Sequence, residues 1–166
     1  MSEQEHHTSP VLGRLDTLSD QELSVVIAAA ADVLAEGGDD PTARDAIAMP
    51  PGPAAAELRL QLAAAGLDVD DATADGLVTD EATSREVALA TLRELAKEPE
   101  LAAEIEDAWR ARSGMMVIDG GVLIASALLL LVMKLKHVKV KGGDVDVEFY
   151  EAKSGVLAAV RKLVGA

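Results

Sequence analysis

The sequence predicts an α+β fold that is predominantly helical. Three observations lead to this class. Apolar residues recur at helical spacing through residues 18–113, one later run is apolar on all sides, and valines alternate with charged residues near the C-terminus. We therefore expect an acidic helical region (18–113), an apolar helix (114–136), and a β-hairpin that packs on an amphipathic helix (137–166).

The composition bounds the core and excludes some functions. Apolar residues make up 49% of the 166 residues but aromatic residues only 2%, so we expect closely packed helices built from small and aliphatic side chains. Because there is no cysteine, disulfides and thiolate metal ligands are excluded. The net charge of −14 argues against nucleic-acid binding, which needs cations opposite phosphates. Residues 134–166 are basic by contrast, with seven Lys and Arg against four Asp and Glu.

The N-terminal residues 1–17 are polar and lack periodicity, so they are interpreted as a flexible arm. Their two histidines are not expected to bind metal, because a flexible arm does not preorganise ligands. A first helix should follow directly, since Ser19 and Glu22 have the spacing of a capping box. Apolar residues then recur at helical spacing until Gly37 and Gly38 end the pattern.

A stretch rich in glycine and proline, residues 37–53, is expected to be a linker with a short helical turn around residues 43–48. A second helix is predicted over residues 53–65, followed by Gly66 at the position after its end. Its buried face is predicted to consist of Leu58, Leu62 and Ala65.

The acidic stretch 68–81 is the part of the sequence that suggests ion chemistry. If Asp71 is counted as the first position, Gly76 falls at position six, a spacing with a faint resemblance to an EF-hand calcium loop. Position twelve is Ala82, so the bidentate glutamate of that loop is missing. We therefore expect a solvated acidic loop without metal, and a calcium-responsive helix pair around residues 54–96 is the minor alternative.

Two more helices are predicted before the apolar run. One begins at Thr83, with Glu86 at capping-box spacing, and the next begins at Pro99. Glutamates crowd the first turn of the second of these, and Arg110 and Arg112 lie at its end. The helix dipole favours both placements, so these charges need no ligand to explain them.

The apolar segment has two interpretations. Its length of about 20 residues suits a transmembrane helix, with Trp109 before it and lysines after it at the two interfaces. However, Asp119 would be costly in a bilayer. The lysines would also keep the C-terminus inside and require export of the acidic region, for which we expect no signal peptide.

In the second interpretation, residues 115–118 form a short buried strand and Asp119 caps a helix over residues 120–135. This helix is apolar nearly all round, so it would need burial by its own domain or in a homo-oligomer interface. Both interpretations hide the segment from water.

A β-hairpin is predicted where valines and charged residues alternate on both sides of the glycines at 142–143. The expected register places Lys139 opposite Asp146 and His137 opposite Glu148 on one face. The other face pairs valines across the strands: Val140 with Val145, and Val138 with Val147. A final helix is expected over residues 155–164, with Ser154 as its N-cap, and its apolar stripe should cover the valines.

No catalytic, cofactor-binding or metal-binding residues are predicted, and no cofactor is expected. The chain has no cysteine nucleophile and no glycine-rich phosphate loop with a lysine. We expect a small non-enzymatic accessory or interaction protein, membrane-associated through residues 114–136, whose acidic helical head binds a protein partner. The alternative is an α+β interaction module in the cytoplasm, with the apolar helix buried in its core or in a homo-oligomer interface. Alanine-rich helices that favour arginine over lysine suggest a bacterial source.

Overall fold

The predicted class is confirmed: a computed structural model shows a predominantly helical α+β chain with a small antiparallel sheet near the C-terminus. The structure describes residues 11–38, 49–112, 121–140 and 145–165. Its elements in chain order are a 3-10 helix at Leu12–Thr17, α1 at Asp20–Gly37, α2 at Pro51–Ala64, α3 at Asp71–Thr79, α4 at Glu81–Leu95, α5 at Pro99–Arg112, α6 at Gly121–Lys134, β1 at His137–Lys139, β2 at Asp146–Glu148 and α7 at Tyr150–Val164.

The apolar helix α6 lies at the centre of the core, where it packs against α1, α2, α3 and α4. Its side chains from Ala127 to Val132 are at most 1% exposed. Lys134, the first of the lysines that follow the apolar run, forms an ion pair with Glu57 of α2 at 3.6 Å. A helix that is apolar all round is stable in water only when neighbours cover it, and from Ala127 to Met133 the side chains of α6 are buried.

Among the described residues, no helix combines the length and the hydropathy that a bilayer crossing requires. The burial of α6 from Ala127 onward agrees with the core interpretation of this segment. The strand predicted at 115–118 and the cap predicted at Asp119 lie outside the described residues.

Helix α1 begins and ends as predicted. Ser19 and Glu22 form the capping box: the Glu22 carboxylate accepts from Ser19 N at 2.9 Å, and Ser19 Oγ accepts from Glu22 N at 3.1 Å. The run of alanines at residues 28–31 is buried throughout. Small side chains let helix axes approach closely, which accounts for the extensive contact of α1 with α6.

The predicted flexible arm does not extend over residues 11–17, because Leu12–Thr17 form the 3-10 helix and Val11 is buried; residues 1–10 lie outside the described part. Leu12, Leu15 and Leu18 recur every three residues, the period of a 3-10 helix, and all three are buried. The backbone N–H of Val11 donates to Glu106 Oε1 of α5 at 3.3 Å. These contacts hold the segment on the helical core.

The acidic stretch is a helix, so the predicted loop is wrong. Asp70 caps α3 by accepting from Thr73 N at 2.8 Å, and Asp80 caps α4 by accepting from Thr83 N at 2.9 Å. The cap of α4 is thus Asp80, and α4 begins before the predicted start at Thr83. Gly76 lies inside α3 and turns no calcium loop. Within the described ranges, no three acidic or histidine side chains are grouped to hold a metal ion.

The second helix, α2, begins at Pro51, two residues before the predicted start, and Pro50 is its N-cap. Leu58 and Leu62 are buried as predicted, whereas Ala65 lies beyond the helix and is exposed. Gly66 has a φ of +96°, which fits the predicted role of a glycine after a helix end. The turn predicted at 43–48 lies outside the described residues.

The hairpin has the predicted register. Lys139 lies opposite Asp146, His137 opposite Glu148, and Val138 opposite Val147. The remaining valine pair is also confirmed, because Val140 N donates to Val145 O at 3.1 Å. The glycine turn itself lies outside the described residues.

The hairpin packs against the C-terminal end of α1, where Gly38 forms a bridge with Val138. A Cβ at Gly37 would lie 2.5 Å from the carbonyl oxygen of Lys139, so this close approach requires glycine.

The last helix, α7, differs from the prediction in both its start and its main neighbour. It begins at Tyr150, and Ser154, the predicted N-cap, lies inside it. The helix packs chiefly on α4, and its contacts with either strand of the hairpin are fewer. Phe149, the single residue between β2 and α7, is the N-cap of this helix, and its side chain is buried in the core.

Candidate functional site

A cleft of about 340 Å³ lies between the junction of α4 with α5 and the junction of β2 with α7. Two segments that are distant in sequence form its walls, and its lining residues are Glu94, Leu95, Lys97, Glu98, Leu101, Asp146, Val147, Glu148, Phe149, Tyr150, Glu151 and Ala152. We call this feature the acidic cleft.

Core side chains form the apolar part of the acidic cleft. Leu95, Leu101, Val147 and Phe149 line it and are each at most 3% exposed. The first two lie at the end of α4 and the start of α5, and the others lie at the end of the hairpin. These residues belong to the main hydrophobic core, so the base of the cleft is closely packed.

Negative charge dominates the rim. Five carboxylates line the acidic cleft, against one ammonium group, that of Lys97. Lys97 Nζ lies 3.0 Å from Glu94 Oε1, an ion pair one helical turn apart. The other four carboxylates form no ion pair within the described part of the chain; they belong to Glu98, Asp146, Glu148 and Glu151.

The Glu94 carboxylate lies next to Gly155 of α7. A Cβ at Gly155 would lie 2.2 to 2.4 Å from the carboxyl atoms of Glu94, so this carboxylate rests on the backbone of α7. Glycine inside a helix costs about 1 kcal/mol relative to alanine. Here the missing side chain makes room for a charged group where α4 and α7 meet.

Tyr150, the single tyrosine of the chain, is 78% exposed and lines the acidic cleft. An exposed tyrosine offers an apolar ring and a hydroxyl that both donates and accepts hydrogen bonds. Tyrosine is enriched at protein interfaces for this reason. The cleft therefore combines a negative rim with an amphipathic side chain.

Among the residues that the structure describes, the carboxylates with clearly shifted pKa values lie at helix N-termini, away from the acidic cleft. The Ser19 backbone N–H lowers the pKa of Glu22, and the hydroxyl and backbone N–H of Thr73 lower the pKa of Asp70. The Thr83 hydroxyl and backbone N–H do the same for Asp80. These groups cap helices, so their ionised forms stabilise the fold.

The sequence predicts no site residues, and the cleft could not be found from it. Three acidic residues of the rim have a local explanation in the sequence: Glu98 lies at a helix start, and Asp146 and Glu148 lie on the exposed face of the hairpin. Only the packing of α7 on α4 brings the two acidic segments together. His137, predicted to pair with Glu148, lies opposite it, but its Nδ1 is buried and makes no hydrogen bond within the described part.

No protein-family model, curated protein or solved structure matches this chain.

Proposed function

We propose that this protein is a non-enzymatic interaction module that binds a basic segment of a partner protein in the acidic cleft. The observation that carries the proposal is the charge of the rim, where five carboxylates face one lysine. Four of the five have no ion-pair partner among the described residues. Lysine or arginine side chains of a partner would supply the missing counter-charges.

The composition supports a protein partner over a nucleic acid. A net charge of −14 repels phosphates, and the exposed ring of Tyr150 suits contact with a peptide backbone or an aliphatic side chain. The lack of cysteine and of a phosphate loop in the sequence supports a role in binding instead of catalysis.

In this proposal α6 acts as the scaffold that holds the two walls of the cleft. The burial of Ala127–Met133 against the chain's own helices supports a place for this helix in the core, in preference to a bilayer.

The test is a titration of the protein with a fluorescent lysine-rich peptide, followed by anisotropy, beside a glutamate-rich peptide of equal length. We expect the lysine-rich peptide alone to bind. The double variant Glu98→Gln/Glu151→Gln should weaken binding about threefold to tenfold, because two rim charges are lost.

The matched control is Glu81→Gln/Glu86→Gln, which removes the same charge from exposed positions at the other end of α4. It should change affinity less than about twofold, since Glu81 and Glu86 lie about 21 Å and about 14 Å along the helix from Leu95. Equal weakening by both double variants would mean attraction to net charge alone and would contradict a site in the cleft.

A further inference from the structure

One edge of the hairpin is free within the described part of the chain. Val145 O accepts from Val140 N at 3.1 Å, and Lys136 O accepts from Phe149 N at 3.2 Å. In an antiparallel pair, alternate residues direct both backbone groups to the same side. Residues 145, 147 and 149 therefore point their N–H and C=O groups toward β1, and Asp146 and Glu148 point theirs away from it.

The free edge of β2 opens into the acidic cleft. The described sheet has two strands, and the backbones of Asp146 and Glu148 make no hydrogen bond on their outer side within the described residues. All three residues of β2 line the cleft and none of β1 does, which places the cleft beyond the outer edge. An unpaired strand edge is a row of donors and acceptors ready to pair with another chain.

We propose that the basic segment binds as an extended strand added to the free edge of β2. This proposal rests on the proposed function and adds the geometry of binding. Backbone hydrogen bonds to Asp146 and Glu148 supply affinity, and alternate side chains supply specificity.

The side chains of β2 define the chemistry of the added strand. Asp146 and Glu148 are exposed on one face of the hairpin, and Val147 is buried on the other. On the inner side of β2, the residue of β1 that lies opposite Asp146 is basic, Lys139. Opposite charges also favour pairing across the outer edge of β2. The added strand should therefore carry lysine or arginine at alternate positions, with an apolar residue between them.

A second copy of this chain fits the edge poorly. Two β2 strands paired edge to edge would bring Asp146 and Glu148 of both copies side by side, and like charges in a sheet destabilise pairing. Charge complementarity therefore selects a basic partner.

The probe is an acetylated, amidated Lys-Val-Lys-Val-Lys peptide in two N-methylated forms, one methylated on the lysine amides and one on the valine amides. An N-methyl group removes a donor and blocks one edge of the peptide, leaving its charge unchanged. Antiparallel pairing places lysines opposite Asp146 and Glu148, so the lysine amides face β2. We expect lysine methylation to weaken binding at least tenfold and valine methylation to change it less than twofold.

Amide hydrogen exchange of the full chain, read by NMR, gives the second readout. The unmethylated peptide should slow exchange of the Asp146 and Glu148 amides at least tenfold, because both become hydrogen-bonded. Equal binding of all three peptides, weakened by Glu98→Gln/Glu151→Gln, would overturn strand addition and leave the proposed function intact. Absence of binding at about 1 mM peptide would overturn both. If, without peptide, exchange of these two amides slows as the protein concentration rises, a second copy of the chain occupies the edge of β2. That result would also overturn the inference.

Discussion

Truncation of one leucine in α6 should destabilise the protein far more than the same truncation on the surface. Leu130 is fully buried, whereas Leu60 on α2 is 62% exposed. The change Leu130→Ala removes three buried carbons, worth about 0.8 kcal/mol each in transfer free energy. The cavity left among closely packed helices adds to this, for a total of roughly 3 to 4 kcal/mol.

The matched control, Leu60→Ala, should lower the free energy of unfolding by less than about 1 kcal/mol, since most of that side chain already contacts water. Leucine and alanine both favour helix, so the difference between the two variants measures burial. The assay is urea unfolding in detergent-free buffer, followed by far-ultraviolet circular dichroism. A loss below about 1 kcal/mol for Leu130→Ala, or equal losses for the two variants, would refute the placement of α6 in the core.

Further predictions concern two glycines and two helix caps. Gly37→Ala should destabilise the fold by about 2 kcal/mol, because its new Cβ would meet the backbone of β1 at Lys139, and thermal unfolding will measure this. Gly76→Ala should instead stabilise it by about 0.5 to 1 kcal/mol, since no atom lies within 4 Å of the new Cβ and alanine favours helix; a loss of stability would contradict the open surface of α3. The pKa values of Asp70 and Asp80 are lowered in the folded state, so their contribution is present above the unfolded pKa and is lost as the pH falls below about 4. The double variant Asp70→Asn/Asp80→Asn keeps acceptors at both caps and should show a shallower fall of the urea midpoint between about pH 5 and pH 2; an unchanged slope would contradict this role.

Local patterns predicted the features that short-range chemistry determines. The capping box of Ser19 and Glu22 occurs as expected, because both partners lie within one helical turn. The hairpin register follows from alternation, since a shift of one residue would move the buried Val138, Val140 and Val147 to the exposed face.

The acidic stretch shows where local reasoning fails. Asp70 and Asp80 each precede a threonine by three residues, a spacing that serves a helix cap. Aspartates at short spacing also suit a calcium loop, and composition does not separate the two. Gly76 strengthened the loop interpretation, although a glycine can lie inside a helix at modest cost.

The sequence did not predict the position of α6 in the core or the acidic cleft, because both depend on contacts between distant segments. An apolar helix is equally well covered by lipid or by protein, so hydropathy alone does not choose between them. Its neighbours decide, and the buried alanines of α1 are among them. The acidic cleft likewise depends on the contact of α7 with α4, which joins segments about fifty residues apart.

Amide hydrogen exchange of α6 in detergent-free buffer tests the central claim most directly. Amides from Leu128 to Lys134 should exchange among the slowest in the chain, with opening free energies close to that of global unfolding, because these residues are covered by four helices. Exchange of these amides at the rate of an unstructured peptide, or protection that appears only when detergent is added, would contradict a core built around this helix.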